Sequence, residues 1–201
     1  MQAVILAAGQ GVRLRPMTED CPKCLVKVQG KPMLEYQLEA LVAAGVSDCV
    51  IVVGYLGAQV RHTYGDDFQG MRLRYVNNPV YDQTNNIYSL WLARGHVSDD
   101  VLLLESDLVF DPALLVDLLR TPGENVAVVD HFQPFMNGTV ILANGDRARA
   151  MVLKRDQQPG FDLSVALKTV NIYKFSYATV SDLLMPALDE YVMQGQTDDY
   201  Y

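Results

Sequence analysis

Apolar residues fall into two kinds of run along the first half of the chain. Residues 4–8, 49–53 and 101–104 are continuous apolar blocks, the pattern of strands buried on both faces. Residues 71–76 alternate apolar with basic positions and predict a further strand. Helical spacing separates these blocks. Pro32 opens an amphipathic stretch with Leu34, Leu38, Leu41 and Val42 on one face, and Gly45 stands where a C-terminal cap belongs. Asn85 and Asn86 precede Ile87, Leu90, Trp91 and Arg94, the outline of a capped helix with Trp91 in the core. Asp111-Pro112 starts another helix through Leu119.

The texture changes at Val126. Residues 126–129, 139–142, 150–153 and 169–175 are strand-like and separated by Gly, Asn and Pro. A last helical stretch, 180–192, is expected to kink at Pro186. Alternation of strand and helix predicts an α/β fold whose sheet is parallel at its centre with right-handed crossovers. The second half reads as a β-rich extension of the same single domain, residues 1–201.

With 201 residues, half of them hydrophobic, the chain can bury roughly 70% of its unfolded surface. That excludes a disordered tail or a disulfide-stapled miniprotein. A net charge of −8 argues against a non-specific nucleic-acid binder. No apolar run is long enough to span a bilayer, and residues 1–6 lack the basic region and length of a signal peptide. Cys21 and Cys24 have C-x-x-C spacing, but no second pair or nearby histidine completes a zinc site. With Cys49 they read as reduced thiols of a cytoplasmic protein; a redox or metal protein built on the pair is the rival reading.

Three features carry chemistry. The first is Leu6-Ala7-Ala8-Gly9-Gln10-Gly11-Val12-Arg13-Leu14-Arg15-Pro16. Here a buried strand runs into a glycine-punctuated basic loop, where backbone N–H groups can approach phosphate oxygens and arginines supply forked donors. It is neither a P-loop nor a dinucleotide fingerprint, because no Gly-Lys-Ser/Thr follows and Arg13 and Pro16 replace the third glycine and helix start. The second is Pro22-Lys23, a lysine placed to neutralise a transferring phosphoryl group. The third is Asp107, just past residues 102–104, at the carboxyl end of a buried strand where open α/β sheets place ligands. A carboxylate there is a natural Mg²⁺ ligand, with Glu105 as its competitor.

In order and spacing these elements resemble the nucleotidyltransferase superfamily that includes the sugar-nucleotide pyrophosphorylases, over essentially the whole chain. The resemblance implies a Rossmann-like mixed, mostly parallel sheet flanked by helices, of the nucleotide-diphospho-sugar transferase type. It further implies that Leu6, Ala7, Ala8, Gly9, Gly11 and Arg13 hold a nucleoside triphosphate, that Lys23 stabilises the α-phosphate, and that Asp107 binds Mg²⁺. Lys23, Arg13 and Asp107 are then the catalytic set.

Tyr81-Asp82-Gln83-Thr84-Asn85-Asn86-Ile87-Tyr88-Ser89-Leu90 is similar to the small bacterial cytidylyltransferases acting on phosphocholine and aminoalkylphosphonates. That resemblance sets the segment beside the pyrimidine, and Gln83, Asn85 and Asn86 offer amide donors and acceptors for a cytosine edge. The competing role for an asparagine before a helix is the N-cap. The tail Thr197-Asp198-Asp199-Tyr200-Tyr201 resembles the acidic-aromatic segment that covers the acceptor and supplies a second metal ligand. The resemblance puts the next acid just past Tyr201, so the chain is expected to be cut short there, with Asp198 and Asp199 as substitutes. Lys154, Lys168, Tyr173 and Tyr200 are the candidates for holding the acceptor.

The expected reaction is transfer of CMP from CTP to the phosphate or phosphonate of a small acceptor, with release of pyrophosphate. A phosphate is largely ionised near neutral pH (second pKa about 6), so no general base is needed. Phosphocholine would call for an aromatic cage, drawn from Tyr173, Tyr200, Tyr201, Phe132 and Phe135. The phosphocholine enzymes carry a tryptophan where this chain has Phe135-Met136-Asn137-Gly138-Thr139, which makes an aminoethyl acceptor at least as good a fit. A pyrophosphorylase acting on a sugar 1-phosphate and a non-catalytic nucleotide-binding module are the rivals. A homodimer, or fusion to a further domain, is compatible with all three.

Overall fold

A computed structural model describes residues 1–199, which divide into two compact units: Met1–Val126 with the chain from Tyr173 onward, and Ala127–Ile172. In the first unit the strands β1 (Gln2–Ala7), β4 (Asp48–Val53), β6 (Met71–Asn77) and β7 (Val101–Glu105) form a parallel sheet in the order β7-β1-β4-β6. The short β5 (Asp67–Phe68) pairs antiparallel on the outer side of β6. All of β1, and β4 beyond its first residue, are buried, as their unbroken apolar runs require. A two-residue hairpin, β2 (Lys27–Val28) with β3 (Lys31–Pro32), leads into helix α1.

Helix α1 (Met33–Ala43) starts immediately after Pro32, which fixes its own φ and donates no N–H. It ends in a Schellman motif: Val46 N–H donates to the Leu41 carbonyl (3.0 Å) and Gly45 N–H to that of Val42 (2.9 Å). Gly45 adopts φ 80°, the left-handed state this closure needs. Helices α2 (Gly57–Tyr64), α3 (Asn86–Leu92) and α4 (Ala113–Arg120) complete the crossovers; α1 packs on α4, and α3 packs on β1 and β4. Past Phe175, a short turn α5 (Tyr177–Thr179), a π-turn over Val180–Leu184 and α6 (Met185–Met193) follow, and α6 packs on α3. The expected kink at Pro186 is that π-turn: a proline near the start of α6 has no N–H for the carbonyl four residues back, and the wider turn absorbs the mismatch.

In the second unit β9 (Val140–Asn144) pairs antiparallel with β10 (Arg147–Val152), with a register shift between Ala148 and Ala150, and with β11 (Leu167–Phe175) on its other side. Strand β8 (Val126–His131) also pairs with β11. The sequence pattern missed α2. It buries only Gly57, Val60 and Tyr64, too narrow a stripe to stand out over eight residues.

The chain crosses from β1 to β4 and β6 on one side, then returns to place β7 on the other side of β1. The switch in direction lies between β1 and β7. In an open α/β sheet the crevice at the carboxyl ends of such strands takes the ligand. Here it receives the glycine loop after β1 and Asp107 after β7.

Candidate active site

The glycine loop is shaped by close approach. Gly11 has φ 63°, and a Cβ built on it would lie 2.8 Å from Lys23 Cβ and 3.1 Å from Thr18 Cγ2. Thr18, buried, donates its hydroxyl to the Gly11 carbonyl at 2.9 Å. The loop between them carries a 3₁₀ turn over Val12–Leu14, with Arg13 exposed. Its far side is held from the α2 region: Tyr55 donates its hydroxyl to the Glu19 carbonyl, and Gln59 Nε2 donates to that of Asp20 at 3.2 Å. Gly54 lets the next strand's exit meet the loop's start. A Cβ there would stand 2.7 Å from the Ala8 carbonyl oxygen, which accepts from Tyr55 N–H at 3.0 Å.

This packing delivers Lys23. Pro22 is buried and caps a 3₁₀ turn over Lys23–Leu25, and Lys23 Nζ sits 2.8 Å from Asp107 Oδ2. The two side chains are 22% and 38% exposed, so the pair contributes about 0–1 kcal/mol to folding. Its importance is positional: an ammonium and a carboxylate meet at the switch point beside the glycine loop.

The turn bearing Asp107 is anchored from three sides. Ser106 N–H donates to the Leu6 carbonyl at 3.2 Å. Gln37 on α1 donates through Nε2 to the carbonyls of Glu105 (3.1 Å) and Leu108 (2.9 Å). Asn86 Nδ2 donates to Glu105 Oε1 at 3.1 Å. Thus Glu105, the competing acid, is engaged by the start of α3 while Asp107 faces Lys23.

Asn85 takes the structural role open to it. Its Oδ1 accepts from Asn86 N–H at 3.0 Å as the cap of α3, its N–H donates to the Thr197 carbonyl at 2.8 Å, and Nδ2 donates to the Asp198 carbonyl at 3.3 Å. The tail bearing Asp198 and Asp199 is thereby tied to the N-terminus of α3. Gln83, in the turn before α3, is exposed. Tyr200 and Tyr201 lie outside the described residues. Trp91, expected in the core, is half-buried: its indole N–H needs a partner and donates to Asp189 on α6 at 2.6 Å, with Arg94 lying 3.6 Å over the ring.

The expected acceptor groups are split between the units. Within the second, Lys168 Nζ donates to the carbonyls of Thr139 (3.2 Å) and Thr169 (3.0 Å), and burial lowers its pKa. Lys154 is exposed and reaches Gln157 Oε1 at 3.5 Å, while Gln157 Nε2 donates to the Gly138 carbonyl at 2.9 Å. Both lysines therefore gather around residues 138–139, three to four positions past Phe135, which is 84% exposed. Tyr173, in the first unit, is buried and stacked on Phe175. The cysteines are unpaired thiols: burial pushes Cys24 up to about 12 and raises Cys21 as well. Neither is a reactive thiolate at neutral pH.

Sequence reasoning did not single out Gln37, Gly54, Tyr55 or Gln59. Their roles run through contacts between distant segments. Only the buried glutamine on the apolar face of α1, beside Leu34, Leu38 and Leu41, left a trace in the pattern.

Comparison with known proteins places the chain in a family. Residues 3–162 match the model of the MobA-like NTP transferase domain. Over its full length the chain is 38% identical to the CMP-5'-(3-aminopropyl)phosphonate synthase of Streptomyces rubellomurinus and covers 32% of that protein. It is 43% identical, again over its full length, to the choline-phosphate cytidylyltransferase of Streptococcus pneumoniae and covers 81% of it. The chain thus spans about a third of the first relative and four-fifths of the second. The solved structure of a CTP:phosphocholine cytidylyltransferase from Streptococcus pneumoniae superposes with a TM-score of 0.76 at 28% identity, covering 99% of this chain and 81% of that one. The matched span takes in most of the chain, and the chain belongs to the MobA-like NTP transferase family.

Proposed function

We propose that the chain is a cytidylyltransferase that transfers CMP from CTP to the phosphate or phosphonate of a small acceptor of the phosphocholine or aminoalkylphosphonate type. The observation that carries this reading is the Lys23–Asp107 pair, 2.8 Å apart beside a loop whose Gly11 leaves no room for a side chain. An acceptor oxygen attacks the α-phosphorus in line; the new P–O bond forms as the α–β bridge breaks, and pyrophosphate leaves with the electron pair. Lys23 neutralises charge on the α-phosphoryl oxygens, Arg13 and the loop N–H groups hold the triphosphate, and the acceptor needs no base because it is already ionised.

The residues present fit Mg²⁺. Asp107 offers a half-exposed hard oxygen donor whose Oδ2 is taken by Lys23, while its Oδ1 has no hydrogen-bond partner among the described residues. No group of three or more metal-type side chains occurs among the described residues. Mg²⁺ is commonly held by one or two carboxylates together with substrate phosphates. Asp107 would hold it, with Asp198 or Asp199 as the further candidate. When bound, the ion supplies charge neutralisation along the triphosphate.

Gln83 and Asn86 are the candidates for reading cytosine, and Lys154 and Lys168 for the acceptor phosphate; Asn85 serves the helix. The unpaired thiols suit a cytoplasmic enzyme, and no helix among the described residues is long and apolar enough to cross a membrane. The test is pyrophosphate release with Mg²⁺, pairing CTP, UTP, GTP, ATP and dTTP with phosphocholine, 2-aminoethylphosphonate, phosphoethanolamine and glucose 1-phosphate. Release with CTP and an amino-alkyl acceptor is expected. Turnover of glucose 1-phosphate instead would make the chain a pyrophosphorylase, and nucleotide binding without turnover would make it a regulatory module.

A further inference from the structure

We infer that Gln37 is a positioning residue that sets the Asp107 carboxylate opposite Lys23, acting through the backbone of the β7 turn without touching substrate. Gln37 is fully buried on α1. Its Nε2 donates to the Glu105 carbonyl (3.1 Å) and the Leu108 carbonyl (2.9 Å). An amide nitrogen has two hydrogens, and both are used. The two carbonyls lie at either end of the four residues 105–108, so one nitrogen fixes the span of the turn that carries Asp107. Ser106, inside the same turn, is buried and bonded to Leu6. Lys23 Nζ then meets Asp107 from the glycine-loop side.

The other end of the amide strengthens the case. Gln37 Oε1 is buried with no hydrogen-bond partner among the described residues. An orphaned buried oxygen is unfavourable, and a leucine or methionine would avoid it on this apolar face. The position keeps a donor in spite of that cost, and the donor serves one turn only. Helix α1 thereby becomes a rigid brace for the catalytic aspartate, in the way second-layer hydrogen bonds orient metal-binding carboxylates elsewhere.

The inference rests on the proposed reading only in taking Asp107 to face the triphosphate. Gln37→Met keeps volume and removes the donor; Gln37→Glu keeps shape and points acceptors at two carbonyls. In the ligand-free chain, backbone amides of residues 104–110 should exchange about tenfold faster in Gln37→Met, while those of β4 stay at the wild-type rate. Calorimetry with CTP should show metal-free affinity unchanged and the gain on adding Mg²⁺ reduced about tenfold. In turnover, kcat should fall about tenfold or more with KM for CTP little changed, and Gln37→Glu should be the worse variant at pH 8. Unchanged exchange in 104–110, or equal acceleration in β4, would overturn the inference. If the wild type releases no pyrophosphate with any acceptor, the proposed function fails, and the exchange comparison still decides the role of Gln37.

Discussion

Replacing Gly11 with alanine tests how the glycine loop and Lys23 depend on each other. The perturbation has two parts. Gly11 sits at φ 63°, a conformation that costs an L-residue about 1–2 kcal/mol. The added Cβ would also stand 2.8 Å from Lys23 Cβ, 3.1 Å from its Cγ and 3.1 Å from Thr18 Cγ2. The near atoms belong to the root of the lysine side chain, which cannot swing aside without moving Nζ away from Asp107. Thr18 cannot yield readily either, since it is buried and bonded to the Gly11 carbonyl. For a chain of this length, 1 kcal/mol corresponds to roughly 2–4 °C in Tm, so a fall of about 2–8 °C is expected from the backbone strain alone. Misplacing a positioned group by about 1 Å can cost about 100-fold in rate, and a loss of that order in kcat/KM is expected. Gly9→Ala is the internal control for strain: a Cβ there meets nothing within 4 Å and its φ is ordinary, so its Tm should match wild type. Calorimetric melting together with steady-state pyrophosphate release measures both effects. Gly11→Ala with wild-type kcat/KM would refute the coupling between loop and lysine.

Asn85→Ala should lower stability by about 1 kcal/mol through the lost cap, and proteolysis should cut around residues 197–198 faster once the side-chain tie to the Asp198 carbonyl is lost. Cys24 should resist alkylation by iodoacetamide at pH 8, because burial pushes its thiol up to about 12, and activity should survive the reagent; thiol-dependent loss of activity would revive the redox reading. At Asp48, burial raises the carboxyl but the hydrogen bonds from Arg74 and Arg72 outweigh it and hold its pKa below the ordinary value of 3.8. A depressed acid stabilises the fold above its unfolded pKa and loses that contribution as pH falls through the folded one. Wild type should therefore exceed Asp48→Asn in denaturant-measured stability at pH 7, with the two converging below pH about 3.8.

The layers of the fold were legible where burial is complete. Strands β1, β4 and β7 announce themselves because both faces are covered, and α1 because Pro32 and Gly45 bracket a clear apolar stripe. Gly11, Lys23 and Asp107 were legible because loops at strand exits leave a local chemical trace. What the sequence withheld depends on folding distant segments together. Nothing local in Gln37 reveals that its partners are 68 and 71 residues away. Gly54 matters only because Ala8 and Tyr81 close on it. Asn85 carried two readings at once, and its contacts with Asn86, Thr197 and Asp198 depend on where the fold sets the start of α3 and the tail. The β-rich run after Val126 was legible as strands, and β9 pairs with β10 and β11.

The central claim is that Lys23, opposite Asp107, drives nucleotidyl transfer. The most direct measurement follows CTP, Mg²⁺ and 2-aminoethylphosphonate or phosphocholine by ³¹P NMR, comparing wild type with Lys23→Ala at matched folded concentration. Wild type should convert the acceptor phosphorus to a CMP-linked anhydride with stoichiometric pyrophosphate. Lys23→Ala should fold normally, its ion pair being exposed and weak, and be slower by about 10²–10³-fold. A Lys23→Ala chain that forms the anhydride at the wild-type rate would contradict the account.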